Sequence, residues 1–434
     1  METTVRRASG LRAAIAVLTA MTLLSASRAG AQGAVARSHD ASSDLASLVR
    51  EGMERNPDVV AAREHWQALR RAPIQMRTLP DPQLQLQEFT VGSPKPSAGY
   101  ETSDFYYTGF GAAQDIPGPG KLRLQGEIAE QDAEIARHQY QAAQRQAAEK
   151  IREGYFELFY LTKTAALLAR ERGQLAQIER IAEARYRVGE GLAQDVLKAQ
   201  LQATRMLDEI ERRRREMQQR QADLKAALGR DLDSANIAVG DVEPTRVDLN
   251  QAQLAGAVSE HSTDLMMDRA ARGRSEKALD LARRAYLPDF TLGYEYEKTG
   301  PGLRDYYMLT LGAKIPLYFW RKQTPAIEQA ALELSAARSR LRAHELDAAA
   351  SAEDQLVAIR ASDRILKVYD QGLIPQAENS MQAALAAYRV SKADFQTLLS
   401  AFVDLLNLRQ EYYRELADRE IAVARLEQIV GEMK

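Results

Sequence analysis

Two different periods alternate along the chain. Over long stretches rich in Ala, Glu, Gln, Arg and Leu, the strong helix formers, apolar residues recur at helical spacing. Leu161, Leu168 and Leu175 repeat every seven residues, as do Ile128 and Ile135, and Leu334 and Leu341. A sustained seven-residue spacing predicts a supercoiled packing seam, which an ordinary long coiled coil would also satisfy. In between, single alternation takes over. Phe290, Leu292, Tyr294 and Tyr296 share one face of a predicted strand, and Thr291, Gly293, Glu295 and Glu297 share the other. Tyr307, Leu309, Leu311 and Ala313 repeat this opposite Met308, Thr310, Gly312 and Lys314. Earlier in the chain Leu84 and Leu86 alternate with Gln83, Gln85 and Gln87, and Phe105–Gln114 mixes aromatics with glycine.

The order of these segments repeats once. Leu79-Pro80-Asp81 returns as Leu287-Pro288-Asp289, Ile116-Pro117 as Ile315-Pro316, and Tyr186-Arg187-Val188 as Tyr388-Arg389-Val390, with Gln194 and Leu197 matching Gln396 and Leu399. Matched landmarks in one order predict a tandem duplication. The first repeat spans 32–247: a helix over 41–78 interrupted at Asn56-Pro57, two strands within 82–115, a long helix over 121–187 and a returning helix over 192–228. The second spans 248–434: a helix over 248–286, two strands within 289–315, a long helix over 325–389 and a returning helix over 393–430. At the α-helical rise the first long helix measures roughly 100 Å. Two shorter helices stacked end to end would match it, as in the wall of a tall cylinder.

Each predicted strand is close to the roughly 9–11 residues of a tilted membrane strand. Segments 82–115 and 286–320 hold 15 of the 28 aromatic residues, which suits the aromatic girdles of a membrane barrel; a soluble hairpin packed on helices is the alternative. Four strands cannot close a barrel, and lipid forbids open sheet edges. Spanning strands therefore require several chains to share one barrel, and three chains would supply twelve strands. Gly92–Gly99 and Thr299–Arg304 would form its outer loops.

Charge and composition narrow the chemistry. The 58 basic and 60 acidic residues give a net charge of −2, against a nucleic-acid binder. No cysteine is present, which excludes disulfides, thiol catalysis, cysteine metal clusters and lipidation on an N-terminal cysteine. The five histidines form no HxxxH or HxH pair, so a zinc enzyme is not expected. Arg6, Arg7 and Arg12, an apolar run from Ala13 to Ala26 and a small-residue Ala29-Gly30-Ala31 site make residues 1–31 a predicted secretory signal peptide. The run is short for an anchoring helix. Cleavage after Ala31 would take away four arginines and one glutamate, leaving a net charge of −5.

Several motifs then converge on a known family. They are the duplication itself, Asn56-Pro57-Asp58, the two Leu-Pro-Asp lead-ins, Ile116-Pro117-Gly118-Pro119-Gly120-Lys121, and Tyr186-Arg187-Val188-Gly189-Glu190-Gly191-Leu192 running into Asp195-Val196-Leu197-Lys198-Ala199-Gln200. Over its whole mature length the chain resembles the TolC-like outer-membrane efflux proteins. Pro119-Gly120-Lys121 and Leu373-Ile374-Pro375-Gln376-Ala377-Glu378 are most similar to the heavy-metal branch, many of whose members carry a lipidated cysteine that this chain lacks. The resemblance implies a homotrimer: a twelve-strand barrel in outer-membrane lipid continuing as a twelve-helix barrel through the periplasm. It also implies a periplasmic adaptor (membrane fusion) protein and an inner-membrane efflux pump as partners, with drugs or metal ions as the cargo.

The same resemblance marks the turns Val188, Gly189, Glu190, Gly191, Leu192 and Val390, Ser391, Lys392, Ala393, Asp394 as adaptor-docking tips. Gly189 and Gly191 permit a tight turn, and Ser391 is a candidate cap of the second returning helix. The family's gate positions fall on Thr397 and Ser400, with Asp404 one turn further and Asp195 after the first tip. Each aspartate reads equally as a solvated helix-face residue. Gly372 and Pro375 predict a hinge or a tapering bend. Arg212–Arg215 reads as a salt-bridged surface, and Met266-Met267 as core filler. An export duct needs no catalytic residues, cofactor or resident metal, and no convergent acid, base or metal set is found. A periplasmic coiled-coil adaptor or scaffold is the alternative, but an adaptor would show one long hairpin, and this chain has two.

Overall fold

The structure, a computed structural model, describes residues 44–99, 106–300 and 302–431, so the predicted signal peptide at 1–31 and Phe105 lie outside the described residues. The fold is mainly helical, with one four-stranded antiparallel sheet.

The first predicted helix is three helices: α1 (Leu45–Arg55), α2 (Pro57–Leu69) and α3 (Ala72–Arg77). Asn56 makes the first break. Its Oδ1 accepts the amides of Asp58, at 2.9 Å, and Val59, while its Nδ2 donates to the Ala227 carbonyl at 2.8 Å. Pro57, which has no amide to satisfy, opens the new helix. Strands β1 (Gln83–Phe89) and β2 (Tyr107–Ile116) follow, β1 shorter than a full membrane strand. The long helix α4 then runs unbroken from Lys121 to Arg187, 67 residues, and α5 (Ala193–Ala227) returns along it.

In the second repeat the helix expected over 248–286 is also broken, into α6 (Gln251–His261) and α7 (Thr263–Arg284). Ser262 is extended and its Oγ caps the amide of Leu265, so it plays the part of Asn56. Strands β3 (Asp289–Thr299) and β4 (Tyr306–Lys314) come next. The expected single helix over 325–389 is α8 (Gln323–Val368), a π-helical turn (Tyr369–Leu373) and α9 (Ile374–Arg389). Pro375 has no amide to give to the α-helical ladder, and the chain widens by a residue just before it. Finally α10 (Phe395–Val430) returns along α8 and α9. No helix among the described residues is long and apolar enough to cross a membrane.

The heptad seam is observed: Leu161, Leu168 and Leu175 are all buried. Near the tips Leu168 and Leu175 join Met206 and Ile210 of α5, Tyr388 of α9, and Phe395, Leu398 and Phe402 of α10. Midway along α4, Ile151 and Leu158 pack with Leu48, Leu224 and Ile421. The segment between the repeats is held there by a buried ion pair, Arg419 with Glu420. Arg419 also reaches Asp363 at 2.7 Å and the Thr245 carbonyl at 2.6 Å, and Glu420 accepts from the Thr245 amide and hydroxyl. Packing places α5 and α1–α3 along one side of α4, and α10 and α7 between α4 and α8/α9, a wall with α5 and α1–α3 at one edge and α8/α9 at the other.

The sheet order is β1-β2-β3-β4. The two hairpins join through β2 and β3, with Phe110 opposite Tyr296 and Ala112 opposite Tyr294. At the base, Asp289 of the second Leu-Pro-Asp accepts from the Gly118 amide and from Lys121 Nζ, both at 2.7 Å. The Ile-Pro-Gly-Pro-Gly-Lys motif of one repeat is thus tied to the strand lead-in of the other.

Candidate functional site at the hairpin tips and the sheet face

The two turns at the far ends of the long helices lie side by side. Gly189 adopts a left-handed conformation (φ 80°), which an L side chain rarely takes. Gly191 sits against Arg185, where an added Cβ would come within 3.1 Å of the Tyr186 amide nitrogen. In the second turn Ser391 takes the left-handed conformation itself, at φ 59°. It is not the helix cap expected from sequence. Asp394 caps α10, its Oδ1 accepting the Thr397 amide at 2.7 Å, because the cap must sit directly before the first helical residue. Hydrogen bonds from the Thr397 side chain and amide hold the Asp394 carboxyl below its usual value.

Arg185, which no motif marked, joins the tips. Its guanidinium donates to the Tyr388 carbonyl, to Ser391 Oγ at 2.7 Å and to the Glu190 carbonyl at 3.0 Å. It also lies 4.5 Å above the Tyr388 ring. Tyr388 is buried against Phe395 and donates a long hydrogen bond, 3.4 Å, to Asp195. Burial and the neighbouring Asp195 charge push its phenol pKa upward. Lys198 donates to Gln396 across the same seam. Outside this joint the tips present exposed apolar side chains, Val188, Leu192 and Val390, beside the exposed charges Glu190 and Lys392. Ala393 is half-buried between them.

The four gate candidates separate into two places. Thr397, Ser400 and Asp404 are all exposed and share one face of α10, opposite the buried Leu398, Phe402 and Leu405. Asp195 is half-buried and engaged by Tyr388, away from that stripe. Gly372 falls inside the π turn, and Pro375 is at the start of α9. Around this turn Arg409 of α10 bridges buried Glu171 of α4, at 2.6 Å, and Glu378 of α9, at 2.5 Å. Within the Arg212–Arg215 run, Arg212, Arg213 and Arg214 are ion-paired, through Asp208, Glu209, Glu211 and Glu216. No group of three or more His, Asp or Glu side chains able to hold a metal ion occurs among the described residues.

At the other end, strand register gathers the alternating residues of both repeats. Leu84 and Leu86, Phe110 and Ala112, Phe290, Leu292, Tyr294 and Tyr296, and Tyr307, Leu309 and Leu311 all project from one face of the sheet. That face is uncovered: Leu84 is 85% exposed and Leu311 78%. The opposite face carries Gln85, Gly109, Gly111, Glu295, Glu297 and Thr310.

Comparison with known proteins accords with this geometry. The model of the family described as outer membrane efflux protein matches residues 48–230 and again 254–432. No curated protein sequence matches the chain. Among solved structures, one of CusC superimposes with a TM-score of 0.80 at 16% identity, covering 91% of this chain and 93% of that one. The Campylobacter jejuni CmeC outer membrane channel gives 0.76 at 15%, covering 90% and 86%. The outer membrane protein VceC from Vibrio cholerae gives 0.74 at 18%, covering 89% and 96%. At these identities the likeness shows a shared fold, and the double match of the family model accounts for the two tandem repeats. With its helical wall, its four-stranded sheet and both repeats matched, the chain belongs to the outer membrane efflux protein family.

Proposed function

We propose that three copies of this chain form the exit duct of a tripartite efflux system, passively conducting drugs or metal ions from an inner-membrane pump and a periplasmic adaptor to the exterior. The observation that carries this reading is a single one. The sheet has one exposed, mainly apolar face and ends in two unpaired strands, β1 and β4. Lipid would cover the apolar face but leave the edge amides and carbonyls unsatisfied, so β4 of one copy must pair with β1 of the next. The helical wall also ends in two uncovered elements, α5 and α8/α9, which carry exposed Leu197, Leu201, Leu332 and Leu346. A head-to-tail ring closes both layers at once. Twelve strands from three copies fall within the range of membrane barrels.

In this assembly the helices cross the periplasm and the turns at 188–192 and 390–394 meet the adaptor. Val188, Leu192 and Val390 supply an apolar docking surface, rimmed by Glu190 and Lys392. Thr397, Ser400 and Asp404 line the constriction, three of each, while Asp195 acts on opening through Tyr388. The π turn and Pro375 are the hinge between the tip and the rest of the wall.

Docking is tested by charge reversal, separately from stability. Lys392→Glu and Glu190→Lys should leave the trimer intact while weakening cross-linking to the adaptor and lowering export. Arg172→Glu on the exposed surface of α4, outside the two edge elements, is the control. Arg213 is unsuitable, because it stacks on Tyr160 and pairs with Glu209 and Glu216. If both tip reversals leave cross-linking and export unchanged, the tips are only helix turns. The duct itself is tested by mass and conductance: a trimer in detergent that forms pores in a planar bilayer supports it, and a soluble monomer would refute it.

A further inference from the structure

The two repeats differ where the sheet hands over to the long helix. In the first, four residues, Pro117–Gly120, separate Ile116 from the start of α4. They are held down by Asp289 on the Gly118 amide and by Arg284 on the Pro119 carbonyl, and they carry no aromatic side chain. In the second, the stretch from Ile315 to the start of α8 is longer and reads Pro316-Leu317-Tyr318-Phe319-Trp320-Arg321-Lys322. Leu317, Tyr318, Phe319 and Trp320 are all exposed, Trp320 by 56%. The rings pack edge to face, Phe319 to Trp320 at 5.2 Å and Tyr318 to Trp320 at 6.1 Å, and Tyr286 flanks Phe319. A turn fixes the segment: the amides of Arg321 and Lys322 donate to the Tyr318 carbonyl and that of Thr324 to the Phe319 carbonyl. Arg321 and Lys322 are exposed and make no ion pair among the described residues.

We propose that Leu317–Lys322 is an interfacial anchor that sits in the periplasm-facing leaflet of the outer membrane, with the aromatic rings at the headgroup boundary and Arg321 and Lys322 on the phosphates of anionic phospholipid. The inference rests on the barrel reading above. Three observations select lipid as the occupant. The apolar face of β4 runs without interruption through Leu309 and Leu311 to exposed Ile315, so the segment begins where the lipid-facing strand ends. Tyr and Trp, with an apolar body and a polar edge, favour that depth. Two adjacent unpaired cations match a surface of phosphates, and exposed aromatic area next to them would otherwise face water at a cost. The ring of three copies would carry three such anchors, one beside each second-repeat hairpin.

The chain has two tryptophans, Trp66 and Trp320. Trp66 stacks on Tyr140 far from the sheet, so Trp66→Phe keeps the stack and leaves Trp320 as the only indole. The full-length trimer carrying Trp66→Phe is reconstituted into phosphatidylglycerol/phosphatidylcholine vesicles whose acyl chains are brominated near the head or near the end. Trp320 emission should be quenched more by bromine near the head. It should also be quenched more by brominated phosphatidylglycerol than by brominated phosphatidylcholine, and Arg321→Glu with Lys322→Glu should bring that ratio to about one. Emission quenched by aqueous iodide and not by lipid bromine would place the segment in water and overturn the proposal. Emission shielded from both would mean a neighbouring copy covers it, which also overturns it. Leu309→Trp, with both native tryptophans changed to Phe, reports the barrel separately. If this probe escapes lipid bromine the barrel reading fails. If it is quenched while Trp320 is not, only the anchor fails.

Discussion

Arg185 shows how much one side chain can join. It bonds two turns that lie about two hundred residues apart in sequence and covers the ring of Tyr388. Arg185→Ala should therefore open the tips more than Tyr388→Phe, which removes only a long hydrogen bond to Asp195; single-channel conductance of the reconstituted trimer would rank them. Equal effects would mean that the phenol, not the guanidinium, holds the joint. Further up, Arg419 and Glu420 form a buried pair with Thr245 and Asp363. Arg419→Ala leaves Glu420 charged and unpaired in the interior and should cost about 3–5 kcal/mol, seen as a lowered melting temperature. Asp394 gives a pH expectation. Its carboxyl is held below the usual value by the Thr397 bonds, so its capping contribution is fully present above the ordinary aspartate range and is lost only as pH falls through the depressed folded pKa. The protection factor of the Thr397 amide, its exchange rate relative to an unstructured amide at the same pH, should hold at mildly acidic pH and fall only in stronger acid.

At the scale of elements, the breaks are the informative features. Asn56-Pro57 is a proline break that sequence reading detects, whereas Ser262 is a cap inside an otherwise helical run, and its role depends on ψ turning extended at one residue. The π turn at 369–373 belongs with these. It puts a weak point in a rod that, from Gln323 to Arg389, is otherwise continuous, and Arg409 braces it from α10. If it is the hinge, amides of 369–374 should exchange faster than those of α8 and α9 on either side, and Pro375→Ala should narrow the difference by restoring a donor. Uniform exchange along the rod would leave Pro375 as a fixed bend.

The two repeats are quasi-equivalent, and their tips are placed differently. Tyr388 is 2% exposed, while its repeat partner Tyr186 is 51% exposed. Within the chain Tyr388 meets Arg185 and Asp195. Ring closure would set Tyr186 against the next copy's Ala387 and Thr397, which occupy the corresponding positions of the second repeat. The seam between copies then lacks both the cation and the carboxylate, and opening should occur there. Ala387→Arg with Thr397→Asp, which supplies both, should lower the conductance of the trimer below that of Thr397→Asp alone, which only adds a carboxylate to the constriction; no difference would place the opening seam elsewhere. At the sheet, Leu309→Arg should cost about 2–4 kcal/mol if the residue lies near mid-bilayer, and Thr310→Arg on the opposite face much less, read as the heat stability of the assembled trimer.

The sequence by itself determined the elements that depend on local periodicity and on repetition. The 67-residue helix, its buried Leu161-Leu168-Leu175 seam, the alternating faces of β3 and β4, and the duplicated plan are all written in residues near one another or in copies of one motif. Motif spacing likewise located the two turns, because glycines and Tyr-Arg-Val landmarks are local signals. Tertiary structure alone decided what crosses between repeats: the pairing of β2 with β3 that puts the alternating apolar residues of both hairpins on one face, the bond of Asp289 to Gly118 and Lys121, and Arg185 over Tyr388. It also decided that Asp394, not Ser391, caps α10, and that Asp195 is engaged while Thr397, Ser400 and Asp404 stay exposed. The physical reason is the same in each case. A helix or strand periodicity is set by backbone geometry over a few residues, whereas a contact between distant turns depends on which side chains the folded wall brings together.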